Sequence, residues 1–262
     1  MILVDTHAHL YLNEFSTDLD QVIESAKAND VKYLLLPNID SSTIPAMNQV
    51  VSMHPEICFP MIGLHPTSVK ENYKNELAIV HHYVEQGGYL AIGEIGIDLY
   101  WDKSFEKEQL YTFRYQVELA KEYHLPLAIH TRSSMDVTLD LIEELNDGSL
   151  SGVFHCFSGT YEEAVRIIDN GFKLGIGGVI TFKNSGLDKV IEHIALEDLL
   201  LETDSPYLTP SPNRGLRNEC AYILNIAQKV AEVKKTTLEH VAEVTTENAL
   251  KIFQFVNSVS GK

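Results

Sequence analysis

Two histidines spaced two residues apart follow the first apolar run of the chain. Residues 1–4 are apolar and predict a short buried strand, and His7 and His9 come directly after it. Side chains at positions i and i+2 of a strand point to the same face. One strand end can therefore present two imidazoles to a metal ion, although a chance pair is the alternative in a chain with 11 histidines among 262 residues.

Other side chains that can bind metals also follow short apolar runs. They are Glu94, His130, His155 and Asp204. Any one of them could be a polar residue that ends a strand and hydrogen-bonds locally, but with the histidine pair they make six such positions. Four imidazoles and two carboxylates suit two divalent ions bridged by a carboxylate, and Mg, Mn and Zn all accept such ligands.

The elements that must position these residues follow a repeating pattern. Short apolar runs alternate with amphipathic helices and predict eight strands, near residues 2, 31, 57, 89, 127, 152, 172 and 199. Eight βα units in a chain of this length predict an α/β fold of the (β/α)₈ TIM-barrel type, with an open doubly wound sheet as the alternative. In a barrel the carboxyl ends of the strands form one rim, where the six candidate ligands would meet.

Two expected boundaries bear on the site and on the end of the chain. The fourth strand is predicted over residues 89–93, which places Glu94 at its end. Two helices, over 218–233 and 245–256, should follow the last strand, with residues 238–241 between them.

Composition indicates one ordinary globular domain over residues 1–262. The hydrophobic and charged fractions are 45% and 22%, and no signal sequence or long apolar run is found, so we expect a cytoplasmic protein with no membrane contact. Three scattered cysteines argue against a disulfide framework or a thiolate zinc site. The net charge of −17 argues against a broad cationic surface, so a polyanionic substrate must be contacted locally. No feature indicates an obligate protein partner.

Three stretches of the chain resemble the signature motifs of the TatD family of metal-dependent deoxyribonucleases. They are VDTHAHL at 4–10, AIGEIGID at 91–98 and LLLETDSP at 199–206. Shorter similarities extend over most of the chain, at 63–66, 100–103, 129–132, 154–159 and 179–184. The histidine pair alone is shared with the wider amidohydrolase superfamily, whose TIM-type barrel agrees with the strand count.

The resemblance implies a deoxyribonuclease that cleaves phosphodiester bonds through a hydroxide activated by two divalent ions. One ion would be held by His7, His9 and Asp204, and the other by His130 and His155, with Glu94 as the bridge. Asp204 would also take the proton of the attacking water. His65, in a GLHP segment, would donate a hydrogen bond to a phosphate oxygen. Because basic residues are few and the net charge is −17, we expect single-stranded or frayed ends to be preferred over the interior of a duplex.

Residues beside the candidate ligands could contact the substrate. Arg132 offers a planar fork for a phosphate, or is an ordinary surface arginine. Tyr100 and Trp101 follow the strand that carries Glu94 and could stack a base, or anchor their loop. Cys156 adjoins a candidate ligand, but strand alternation should turn it away from the site.

The loop over 212–220 departs from the family pattern. Leu216 stands where a lysine is common, and Cys220 where a proline is common. One positive charge near the rim is therefore missing, which weakens the expected grip on a long polyanion, while Arg214 and Arg217 remain as possible phosphate contacts.

Three alternative functions were compared with the deoxyribonuclease. Two of them fit the residues less well, and one fits them equally well. A small-molecule amidohydrolase would typically bridge its metals with a carboxylated lysine where this chain has Glu94. Ester hydrolysis on a D-aminoacyl-tRNA would use the same metal centre, and no residue excludes it. A metal-binding module without catalysis would not need Asp204 and His65 beside an intact ligand set.

Overall fold

Eight short parallel strands alternate with helices along the chain. The computed structural model describes residues 1–255. The strands are β1 (Leu3–Asp5), β2 (Val31–Pro37), β3 (Cys58–Met61), β4 (Ile92–Asp98), β5 (Leu127–Arg132), β6 (Gly152–Phe154), β7 (Phe172–Ile176) and β8 (Leu199–Leu201). The helices are α1 (Leu19–Ala28), α2 (Ile44–Met53), α3 (Tyr73–Gln86), α4 (Glu106–Tyr123), α5 (Met135–Leu145), α6 (Tyr161–Asp169), α7 (Leu187–Glu192), α8 (Ile223–Lys234) and α9 (Leu238–Phe253).

The strands form two parallel sheets, of order β1-β2-β3 and β4-β5-β6-β7-β8, which backbone hydrogen bonds join at both seams. Between β3 and β4, the amide of Gly93 donates to Ile62 O at 2.9 Å. Between β8 and β1, the amide of Thr6 donates to Leu201 O at 3.1 Å. The circle is thus complete, and the predicted (β/α)₈ barrel is confirmed.

The barrel interior has an apolar floor beneath the rim. Leu35, Ala128, Val153 and Leu200 form one buried cluster, which also includes Phe255 after the last helix. Ala128 and His130 lie two residues apart on β5 and therefore share a face. The polar rim residues accordingly stand above a layer that excludes water from below.

The structure corrects the predicted boundary of the fourth strand. β4 begins at Ile92 and continues to Asp98, so Glu94 lies inside the strand rather than at its end. Gly96 explains the extension, because its φ is +148° and a Cβ there would lie 2.0 Å from the carbonyl oxygen of His130. Only glycine permits this close approach of β4 to β5.

The structure also corrects the C-terminal helices. Residues 238–241 form the first turn of α9 instead of a link, because the Thr237 side chain accepts a hydrogen bond from the amide of His240 at 3.1 Å and caps the helix there. Val256, the predicted end of this helix, lies outside the described residues. Within residues 1–255, no helix is both long and apolar enough to cross a membrane.

Candidate metal centre

Glu94 lies at the middle of the rim and is almost completely buried. Its Oε2 atom is 3.1 Å from His7 Nε2 and 3.5 Å from His9 Nε2. The Oδ1 atom of Asp204 is also 3.5 Å from His9 Nε2. These four side chains form the first half of the site.

The other oxygen of Glu94 faces a second group of histidines. Oε1 lies 2.9 Å from His130 Nδ1, 3.3 Å from His65 Nε2 and 3.6 Å from His155 Nε2. Glu94 thus presents one oxygen to each group, as a carboxylate between two ions would. The structure therefore brings all six predicted ligands together, and it places His65 among them.

Each histidine ring has one nitrogen that faces Glu94 and one outer nitrogen that faces away from it. The hydrogen-bond partner of the outer nitrogen determines which nitrogen keeps a lone pair for a metal. His9 Nδ1 lies 2.9 Å from the hydroxyl of Tyr11, and that hydroxyl donates its own proton to Pro37 O at 2.5 Å. The tyrosine oxygen must then accept from His9 Nδ1–H. A proton on Nδ1 leaves the Nε2 lone pair of His9 directed into the site, as metal-binding histidines require.

Buried carboxylates lie beside the outer nitrogens of two other histidines. His130 Nε2 lies 3.1 Å from Asp98 Oδ2, which leaves Nδ1 free to face Glu94. His155 Nδ1 lies 2.9 Å from Glu202 Oε1 in an electrostatic contact without hydrogen-bond geometry, and its Nε2 faces Glu94. Sequence reasoning assigned no role to these two carboxylates. The period of two could have found Asp98, which is four residues after Glu94 on the same strand. It does not apply to Glu202 and Asp204, because both lie beyond the end of β8 and Asp204 has a φ of +57°.

The pKa values reflect strong coupling among these buried groups. Burial alone would raise the pKa of Glu94, but His65, His7 and other imidazoles outweigh it and hold this pKa well below its usual range. Burial would lower the pKa of His155, but the charges of Glu202 and Glu94 outweigh it and raise that pKa to about 10. The site thus stabilises negative carboxylates and attracts positive charge.

The donor set fits divalent cations. Four carboxylates meet at the rim, from Glu94, Asp98, Glu202 and Asp204. Within residues 1–255, no lysine or arginine lies at ion-pair distance from any of them, so only imidazoles face this charge. Excess buried negative charge surrounded by imidazole lone pairs is the chemistry of a site for divalent metals such as Zn or Mn. The residues present therefore fit the binding of divalent metal around Glu94.

His65 differs from the other histidines in its tautomer. Its Nδ1 atom accepts a hydrogen bond from the backbone amide of Thr67 at 3.2 Å. In the neutral ring the proton then belongs on Nε2, the atom that faces Glu94. In this tautomer His65 is a hydrogen-bond donor toward Glu94, and the same ring belongs to a group of His65, Glu94 and His130 whose ligand atoms all lie within 4.8 Å of one another.

Asp5 connects the two strands that carry the first half of the site. Its two oxygens accept from the amide and the hydroxyl of Thr203, at 2.9 and 2.6 Å, and one also accepts from the amide of His7 at 3.3 Å. Burial raises the pKa of Asp5 to about 7. Because Thr203 precedes Asp204, this carboxylate helps to hold Asp204 beside His7, and the amide of Asp204 itself donates to His7 O at 2.9 Å.

Comparison with known proteins agrees with the metal-binding site that the geometry indicates. A family model described as TatD related DNase matches residues 4–254. The chain belongs to this family. It is 38% identical over 254 residues to YabD of Bacillus subtilis, an uncharacterized metal-dependent hydrolase, covering 97% of this chain and 99% of that protein. It is 32% identical over 260 residues to YcfH of Escherichia coli K12, which is described in the same words, covering 97% and 96%.

Solved structures agree with this family assignment. The crystal structure of YJJV, a TatD homologue from Escherichia coli K12, superposes with a TM-score of 0.90 at 26% identity, covering 96% of this chain and 98% of that one. A TatD family hydrolase from Entamoeba histolytica has the same fold, with a TM-score of 0.84 and 24% identity over 97% and 98% of the two chains. The protein is a metal-dependent hydrolase of the TatD family.

On one side of the rim of this TatD family barrel, Arg132 packs against two exposed aromatic rings. Its guanidinium carbon lies 4.1 Å from the centre of the Tyr100 ring and 5.0 Å from that of Trp101. The two rings remain 56% and 68% exposed, so they are not the buried loop anchors that were the alternative.

The two arginines of the loop over 212–220 make different contacts. Arg214 lies over the ring of Phe182, 3.7 Å from its centre, and forms no ion pair within the described residues. Arg217 instead contacts Asp18 at 2.7 Å and Glu219 at 2.9 Å. Arg217 is thus a structural cross-link, and of the two arginines only Arg214 remains available for a phosphate.

Cys156 does not turn away from the site as strand alternation predicted. β6 ends at Phe154, and Cys156 has a φ of +50°, so the alternation no longer applies there. Its amide donates to Glu202 Oε1 at 2.5 Å, and its sulfur lies near the outer side of His155. Cys156 therefore borders the metal centre.

Proposed function

We propose that the protein hydrolyses phosphodiester bonds of DNA at single-stranded or frayed ends. The observation that carries this proposal is the position of Glu94 between two groups of imidazoles, with Asp204 and His65 at opposite sides. Paired divalent sites of this kind suit in-line displacement at phosphorus. The family description, TatD related DNase, supports the same reaction.

The residues divide the chemistry among them. Two divalent ions held by the six ligands would supply Lewis acidity at the phosphate and would lower the pKa of water. Asp204, with Oδ1 beside His9, is placed to accept the proton of the attacking water. His65 Nε2–H donates to a non-bridging phosphate oxygen and so stabilises the charge that develops there.

The preference for ends follows from charge. Lysine and arginine number 20 against 37 aspartate and glutamate, so most of the surface repels the dense charge of a duplex. Arg132 and Arg214, each against an aromatic ring, are the arginines left to hold neighbouring phosphates within the described residues. A footprint of roughly two to four phosphates suits a strand end.

The test is product analysis with end-labelled DNA and purified protein loaded with Mg, Mn or Zn in turn. Single-stranded DNA and duplexes with frayed ends should be cut, and blunt duplex interiors should resist. Asp204→Asn should lose this cleavage, whereas Asp169→Asn, which removes one charge from an exposed position on α6, should not. Hydrolysis of a D-aminoacyl-tRNA ester without any cleavage of DNA would replace the proposal with that reaction.

A further inference from the structure

The arginines of the chain fall into two classes. Arg114, Arg166 and Arg217 each contact carboxylates within 3 Å. Within residues 1–255, Arg132 and Arg214 form no ion pair, although acidic residues outnumber basic ones by 37 to 20. An unpaired guanidinium in such an acidic protein is available for an anion that the chain itself does not provide.

Arg132 adjoins the most exposed large aromatic surface of the rim. Tyr100 and Trp101 meet edge to face, with ring centres 5.0 Å apart and planes at 87°. Trp101 is 68% exposed, the highest value among the large apolar side chains of the described residues. Indole rings normally bury most of their surface, so an exposed indole beside an arginine resembles the platforms on which proteins stack bases.

Asp98 holds this platform at a set distance from the metal centre. Its Oδ1 atom accepts from the amides of Tyr100 and Trp101, at 2.9 and 3.3 Å. Its Oδ2 atom contacts His130 Nε2 at 3.1 Å. One buried carboxylate therefore positions both a predicted metal ligand and the backbone of the aromatic loop.

We propose that Tyr100, Trp101 and Arg132 form a subsite that stacks one unpaired nucleobase of the strand whose phosphate lies at the metal centre. This inference rests on the proposed function. Arg132 lies over one face of the indole, so the base stacks on the face that Arg132 leaves open, and Arg132 provides a positive charge for an adjoining phosphate. Paired bases within a duplex keep their faces covered by their neighbours, so this subsite favours an unpaired end.

The chain provides its own reporter for this subsite. Trp101 is the single tryptophan, so intrinsic indole fluorescence comes from the proposed platform alone. A thymidine pentanucleotide with phosphorothioate linkages, which resists hydrolysis, should quench this fluorescence in the metal-loaded protein. An abasic strand with the same linkages and the same number of charges should leave it nearly unchanged. Equal responses to the two strands would overturn the proposal.

Affinity gives a second measurement, by anisotropy of the same two strands carrying a terminal dye. The wild type should bind the base-containing strand about 5- to 150-fold more tightly than the abasic one, the range expected for stacking one base. Trp101→Leu should bring this ratio close to one. Tyr111→Leu, which removes an exposed ring from α4, should keep the wild-type ratio. A ratio that Trp101→Leu leaves unchanged would show that the base lies elsewhere.

Hydrolysis of methyl p-nitrophenyl phosphate by the wild type separates this proposal from the proposed function. This diester carries no nucleobase and needs only the metal centre. If neither it nor DNA is cleaved, the proposed function fails, whereas a base-dependent quench would still support the subsite. If both are cleaved while the two strands bind equally, only the stacking subsite is refuted.

Discussion

Replacing Asp98 with asparagine should weaken metal binding, although Asp98 touches no predicted ion. Its two carboxylate oxygens face three N–H groups, those of His130, Tyr100 and Trp101. Asparagine has one oxygen and one NH₂ group. If its oxygen stays on the loop amides, its NH₂ group faces His130 Nε2, and the imidazole proton must move to Nδ1. The lone pair that faces Glu94 is then lost.

The opposite orientation of the new amide also has a cost. Its NH₂ group would then face two backbone N–H groups whose only acceptor in this structure is Asp98 Oδ1. Loss of such a partner costs about 1–3 kcal/mol in a fully buried position, and these part-buried bonds fall toward the lower end of that range. Changes to groups that orient metal ligands typically lower metal affinity about 10- to 100-fold, or about 1.4–2.7 kcal/mol. We expect Asp98→Asn to fall in that range.

The assay is titration of metal-free protein with Mn or Zn, followed by calorimetry, with a thermal melt of the metal-free form alongside. Asp102→Asn is the matched control, because it removes the same charge from the same loop at a half-exposed position whose partner is Lys70. The control should bind metal like the wild type. If Asp98→Asn binds metal with wild-type affinity, Asp98 does not set the tautomer of His130. The assignment of histidine tautomers from the partners of their outer nitrogens would then be wrong.

Further predictions concern the ions, the catalytic carboxylates and the arginines. Exhaustive chelation should abolish hydrolysis and lower Tm modestly, because the rim carboxylates lose their counter-charge while the apolar floor remains; full activity after chelation would refute metal dependence. Glu94→Gln should reduce metal content and turnover together, whereas Asp204→Asn should reduce turnover far more than metal content, as atomic absorption and steady-state rates would show. Arg214→Ala should raise KM for oligonucleotides without lowering Tm, and Arg217→Ala should lower Tm without changing KM; the reverse result would show that the roles are exchanged. The slope of log affinity against log salt for single-stranded DNA should be shallow, about −1 to −3, and a slope near −6 would reveal an extended cationic surface.

Local patterns in the sequence were enough to predict the architecture and the side chains that meet at the rim. The alternation of apolar strands with amphipathic helices predicted the barrel, because each βα unit encodes its own buried faces. The spacing of His7 and His9, with Glu94, His130 and Asp204 after later apolar runs, predicted which side chains share the rim. A parallel barrel brings the carboxyl ends of its strands together whatever the details of packing, so this inference needed no distances.

Strand boundaries and local backbone conformation were harder to predict from the sequence. β4 extends past Gly93 because Gly96 allows close approach to β5, and glycine in a strand reads equally as a stop. Cys156 lies beside His155 and Glu202 because its φ is positive, which no pattern of residue types predicts. In both places the neighbouring strand or loop determines the conformation.

Only the tertiary structure decided which polar groups are paired and which remain free. Glu219 lies two residues from Arg217, but the residue that holds both terminal nitrogens of Arg217 is Asp18, 199 residues away. Asp5 likewise meets Thr203 across 198 residues. Closure of the barrel brings β1 beside β8 and creates these contacts. Periodicity is a local property that the sequence determines by itself, whereas hydrogen-bond and charge partners depend on which distant segments the closed barrel makes adjacent.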